Sequence, residues 1–305
     1  MTKNGEFLLR RFKLLILFST LIFCFFGCKS ISLPQNDVSA LELLDNKSSF
    51  YLRIPASMDK DLVEKVLKNS VQGLSQKNAS AIVERIDTIY VGMTRSRKGT
   101  TFQLAADCNF PKIVLENSLT KKNGWEKDSL LLQNKEGKNI SYSVFKSQNI
   151  MLSSPSEYIA CLGRNVPNMV ERYNSLSNDF PDENYDAISQ EAFEWLSYQD
   201  GIKDGQVRFF AQKPQSFLTL LTGARLNFQL INVCGAMEND SLSDKQYLLH
   251  LEFEFKDSRM VPAARGALSL AFGLTDSNVF MESPTHLVVS NIKIEKQALY
   301  KILVL

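Results

Sequence analysis

Few residues in this chain are of types that do chemistry. It has two histidines, His250 and His286. His250 stands in Tyr247-Leu-Leu-His-Leu-Glu-Phe-Glu-Phe255, where the period is two. Tyr247, Leu249, Leu251, Phe253 and Phe255 share one face, and His250, Glu252 and Glu254 share the other. Donors about 6.8 Å apart along a strand could hold a metal only if neighbouring strands closed the site. The solvent face of a half-buried antiparallel strand is the expectation, and no metal is assigned. His286 follows Ser283-Pro284-Thr285 and reads as a turn or strand-start residue. Ser57-Met-Asp-Lys60 and Ser118-Leu-Thr-Lys121 have the spacing at which a lysine can activate a serine for acyl transfer, but the SDN and KTG partners are absent. Ser57 fits a helix cap after Pro55 instead. No G-x-S-x-G, H-E-x-x-H, G-x-G-x-x-G or P-loop occurs. The reading is non-enzymatic, with no cofactor.

Of five cysteines, Cys24 and Cys28 lie near the N-terminus, and Cys108, Cys161 and Cys234 follow with no C-x-x-C spacing. Cys108 and Cys234 sit in apolar strand-like runs and read as buried thiols. One disulfide among the three is open, and spacing does not choose the pair.

Arg10, Arg11 and Lys13 precede an apolar run from Leu14 to Gly27, broken only by Ser19 and Thr20. It is shorter than the roughly 20 residues a spanning helix needs and has the length of a signal-peptide core. It ends at Gly27-Cys28-Lys29-Ser30, a small residue before a cysteine, which resembles the lipobox of bacterial lipoproteins. Phe25 and Phe26 stand where that family usually has Leu and a small residue, a relaxed form similar to that of spirochaete lipoproteins. The resemblance implies cleavage between Gly27 and Cys28, a diacylglycerol and an N-acyl chain on Cys28, and a lipid anchor in a bacterial membrane facing the periplasm or cell surface. Removing residues 1–27 takes away Lys3, Arg10, Arg11, Lys13 and Glu6, so the rest of the chain is close to neutral.

The whole chain has 305 residues, is 44% hydrophobic and 22% charged, and carries a formal charge of +2. This excludes dominant disorder and allows one large or two modest cores. Near neutrality argues against a nucleic-acid binder.

Periodicity organises the remainder. Residues 28–48 read as a lipidated tether, with Ala40 to Leu44 as a helical or docking turn. Residues 49–157 form a first α+β module, 158–200 a helical connection and 201–305 a second module. Amphipathic spacing predicts a helix from Asp59 to Leu74, and Ala79 to Met93 reads as strand-rich. Pro262 and Gly273 bracket a helix. Both halves read β-α-β-β-α-β, so the expected fold is α+β: two tandem ferredoxin-like modules with helices on one face of mostly antiparallel sheets.

Arg95, Arg97 and Lys98 make a basic tip between two strands, which could touch anionic headgroups. Trp125 and Trp195 read as core plugs. The helices from Pro214 and Pro262 carry almost no charge, and the chain ends in the apolar ALYKILVL. The functional expectation is a lipid-anchored envelope protein acting in binding or envelope organisation, with a protein partner or an apolar ligand. The alternative is a carrier or sensor of an apolar ligand that meets the membrane through its uncharged helices.

Overall fold

The computed structural model describes residues 38–70, 75–96, 99–111, 115–117, 119–148, 150–178, 186–197, 205–215, 218, 228–272, 277–297 and 300. One antiparallel sheet of twelve strands runs through them. The first seven strands are β1 Phe50–Pro55, β2 Ile86–Ser96, β3 Gly99–Cys108, β4 Glu126–Gln133, β5 Asn139–Ser147, β6 Ile150–Ser156 and β7 Ile159–Gly163. The other five are β8 Val207–Ala211, β9 Leu230–Asn239, β10 Gln246–Phe255, β11 Asn278–Ser283 and β12 His286–Glu295. Their order across the sheet is β11-β12-β10-β9-β8-β1-β2-β3-β7-β6-β5-β4. The α-helices are α1 Lys60–Ser70, α2 Gln76–Val83, α3 Val166–Ser177, α4 Gln190–Leu196 and α5 Val261–Phe272.

The expected pair of ferredoxin-like modules is therefore wrong. Their first strands, β1 and β8, pair antiparallel at Tyr51↔Phe210, Leu52↔Phe209 and Arg53↔Arg208, which fuses the halves into one sheet. The reason lies in the crossovers. A single helix returns the chain to its starting end and sets two strands parallel. Between β1 and β2 the chain forms two helices, α1 and α2, which pack together as an out-and-back pair. β2 thus enters where β1 ended and pairs antiparallel, Leu52 opposite Val91. The residues that read as the start of a strand, Ala79 to Val83, are the end of α2. Ala79 and Val83, four apart, are both buried, and Ser75 caps the helix by accepting from the Asn78 N–H. A second correction concerns β7, which lies inside the segment expected to be helical. Its Ile-Ala-Cys-Leu-Gly run has no alternation because the sheet is covered on both faces there.

Helices also cover both faces, not one. On the first face, α1, α2 and α5 enclose Val83, Ile89, Phe209, Leu251, Phe253 and Leu268. On the second, the 3-10 turn Ala40–Leu43 with α3 and α4 encloses Tyr51, Ala105, Val144, Ile159, Met169 and Leu196. A single cross-strand row on the first face runs Phe145-Leu152-Leu162-Leu104-Val91-Leu52-Phe209-Gly235-Leu251-Val289-Val279. Its one gap, Gly235, is filled by a neighbour: a Cβ there would meet the Phe209 ring at 2.5 Å and the His250 carbonyl oxygen. Among the described residues no helix is long and apolar enough to cross a membrane.

Candidate functional site

Residues 38–48, the only described part of the expected tether, form a strap bound to the second face. Ser39 starts it with a capping box: its hydroxyl accepts from the Leu41 N–H and its own N–H donates to Glu42 Oε2 at 2.9 Å. Leu41, Leu43 and Leu44 are buried. The backbone is held by side chains distant in sequence. Asp107 Oδ1 accepts from the Ala40 N–H at 3.2 Å, and Gln103 Oε1 accepts from the Asp45 N–H at 3.1 Å. Gln103 Nε2 donates to the Asp45 carboxylate at 2.8 Å and to Ser48 Oγ at 3.0 Å. Tyr51 donates to the Asp45 carbonyl at 2.7 Å, and Gln212 Nε2 to the Asn46 carbonyl at 2.6 Å. Gly92 makes room for this cluster, since a Cβ there would lie 2.5 Å from Ser48 Oγ and 2.8 Å from Gln103 Nε2.

Beneath the strap runs a buried polar row. Arg53, 7% exposed, lies directly across from Arg208. Burial, together with Asp87, pushes the Asp107 carboxyl up to about 6, against the Ala40 N–H, Tyr90 and Arg53, which favour its charge. Burial and Asp107 push Tyr90 up to about 12. Burial and the facing Arg53 lower the Arg208 guanidinium, which donates to the Trp195 carbonyl at 2.9 Å and lies 5.2 Å from the Trp195 ring.

The outward face of β10 continues this row past the edge of α4. His250 Nε2 lies 3.1 Å from Glu252 Oε1, while Glu254 accepts from Asn232 Nδ2 at 2.6 Å. Two residues of β12, Ser290 and Asn291, oppose the single His250, and Asn291 takes φ 60° at this bulge. A cavity of about 350 Å³ opens there between Trp195, Arg208, His250, Glu252 and Asn291. Among the described residues no group of three or more His, Cys, Asp or Glu is arranged to hold a metal. On the other face, a cleft of about 1100 Å³ lies between α1 and the β9–β10 turn. At its floor Asp59 accepts from Tyr247 at 2.7 Å and from Lys296 at 3.0 Å. Burial opposes the charge on Asp59, but Tyr247, the Leu62 N–H and Lys296 together hold its carboxyl below the usual range.

The remaining expected residues are scattered. Gly27 and Cys28 lie outside the described residues, as do Ser118, Arg97, Lys98 and the side chain of Arg95, although β2 and β3 pair up to Ser96↔Gly99 around that tip. Ser57 is exposed in a turn and Asp59 caps α1 in its place, Oδ1 accepting from the Leu62 N–H. His286 begins β12, with Nδ1 3.1 Å from Ser283 Oγ. Trp125 is buried and Trp195 half-buried. Cys108, Cys161 and Cys234 are free and buried; burial raises all three thiols, Cys161 to about 12, so none is a thiolate nucleophile at neutral pH. Of the apolar C-terminus only Tyr300 is described, half-buried against the first-face core. Sequence reasoning missed Gln103, Asp107 and Gln212, which hold the strap. Their only local trace is a polar side chain at the strap-facing positions of β3 and one just past the end of β8.

Residues 35–300 match the family described as "Outer membrane-associated lipoprotein TP0453". No curated protein sequence matches this chain. Among solved structures, "Structure of crystal form I of TP0453" is similar with a TM-score of 0.65 at 16% identity, over 88% of this chain and 97% of that one. Crystal form III of the same protein gives 0.63 at 16%, and form IV 0.61 at 15%, each over 88% of this chain. At such identities the likeness shows the fold.

Proposed function

The chain belongs to the outer membrane-associated lipoprotein family, and so to the membrane-anchored proteins of the cell envelope; on that premise we propose that it is a non-enzymatic binding or organising protein held by acyl chains on Cys28. The strap carries this reading. Twelve residues after the proposed anchor the chain is fastened to the sheet, at Ala40 by Asp107 and then at Asp45 and Asn46 by Gln103, Tyr51 and Gln212, so the described part of the expected tether belongs to the folded body. Intact mass of the membrane-extracted protein, beside a Cys28→Ala variant, tests the anchor. Acylated Cys28 as residue one, lost in the variant, is the expected result; an unmodified mass starting elsewhere overturns it. Turnover of an envelope substrate, abolished by His250→Ala, would overturn the non-enzymatic part.

A second reading, a carrier or sensor of an apolar ligand that contacts the membrane directly, draws on α5. Its outward residues Pro262, Ala263, Gly266, Ser269 and Leu270 are exposed, Leu270 by 84%, and Arg265 is the one charge among them. The basic tip Arg95, Arg97 and Lys98 would add about 1 kcal/mol per residue on an anionic surface. This reading expects the unacylated Cys28→Ala protein to float with vesicles and Leu270→Glu to abolish flotation. Protein that ignores vesicles of every charge removes it.

A further inference from the structure

We propose that the β11 edge of the sheet pairs with the β11 edge of a second copy of this chain. The two outer strands are built differently. β4 begins Glu126-Lys127-Asp128, all exposed, with Lys127 paired to Glu116 and Asp128 to Lys146. Charged side chains of this kind blunt an edge, whose free N–H and C=O groups otherwise invite another strand. β11, Asn278-Val-Phe-Met-Glu-Ser283, has one charge and no proline, and exposes Phe280 by 45% and Met281 by 43%. Among the described residues its blunting is limited to its six-residue length and a bulge at Glu282, beside the hairpin turn.

β11 is complementary to itself. Phe280 belongs to the row Tyr51-Phe210-Cys234-Glu252-Val288-Phe280 on the second face, whereas Val279 and Met281 face the first. Antiparallel partners keep their faces only when the two-fold axis is normal to the sheet. Centred on Phe280, that axis sets Phe280 against Phe280 and Val279 against Met281 on both sides, and puts Glu282 across from Asn278, where it meets no like charge. The same operation keeps both straps on one side of the joined sheet, so two anchored copies reach one membrane. A pairing this short buries far less than the 1,200 Å² or so of a stable soluble complex, and anchoring in a plane supplies the local concentration it needs.

The test uses the full-length lipidated protein in envelope membranes, treated with a mild oxidant and read on a non-reducing gel. Phe280→Cys is expected to give an adduct of twice the chain mass by itself, because its self-pairing puts Cα atoms within disulfide reach. Val279→Cys and Met281→Cys are each expected to stay monomeric alone and to cross-link when co-expressed; Leu131→Cys in β4 is the negative control. Adding Phe280→Lys should abolish the co-expressed adduct. A monomeric Phe280→Cys protein overturns the proposal, as does equal cross-linking at residue 131 or an adduct of another mass, which would mean that a different strand occupies the edge. Confinement at the membrane is all it takes from the functional reading, so failure of the Cys28 assignment would appear separately, in the mass measurement.

Discussion

On one face of the sheet, Tyr247, Leu249, Leu251, Phe253 and Phe255 of β10 are enclosed by α1 and α5 with scarcely a polar atom among them. On the other face, the strap meets the sheet through Asp107, Gln103, Gln212 and Tyr51, and, Leu248 apart, the outward residues of β10 are polar. Apolar burial is non-directional and stabilises roughly in proportion to the area removed from water. Hydrogen bonds to named backbone groups choose one position for the strap, and they bring charge into the interior, where its free energy depends on pH. Both faces bury an apolar core, and the second adds the hydrogen bonds that set the position of the strap.

The comparison breaks most visibly at Phe253. Phe253→Ala should cost about 3–5 kcal/mol in denaturant unfolding, while Glu252→Ala beside it should stay within about 0.5 kcal/mol; similar losses at both would erase the difference between faces. Gly235→Ala forces a methyl group into the Phe209 ring and should cost about 1–3 kcal/mol.

Asp107→Asn sharpens the contrast through pH. With Asp107 at about 6 in the folded protein, above its ordinary 3.8, the folded state holds a proton the unfolded chain has lost, and stability falls as pH rises through that window. The variant should gain on the order of 3 kcal/mol at pH 7 and nothing below about pH 4, read from melting across pH. Asp59 has the opposite sign: its depressed carboxyl adds stability at neutral pH that is lost as pH falls through the carboxylate range. Smallest, Gln103→Ala should cost about 1–1.5 kcal/mol and speed amide exchange at Asp45 without changing that of Leu251.

Much of this was legible in the sequence. Alternation marked β10, and a helix starting at Pro262 was readable as α5, because local geometry sets those periods. The partner of β1 was not legible. A strand next to β2 alone and a strand flanked by β2 and β8 show the same apolar residues, and pairing is decided by the path between them, here the unexpected α2. β7 escaped because a strand covered on both faces loses its alternation. The His250, Glu252 and Glu254 face was readable as one side of a strand, whereas Gln103, Asp107 and Gln212 gain their roles from backbone that folds over them from far away.

The β1–β8 pairing also bears on how the chain reaches its fold. Each half is built from hairpins and short helical connections, contacts that close small loops and can form early. The central ladder joins strands from opposite halves, across a much longer loop, and its entropy must be met before Leu52 and Phe209 can meet. Until β8 arrives, the first half carries an unpaired β1 edge in the middle of what will be the sheet. By loop length alone, the centre of the molecule is costlier to close than the hairpins that add its outer strands.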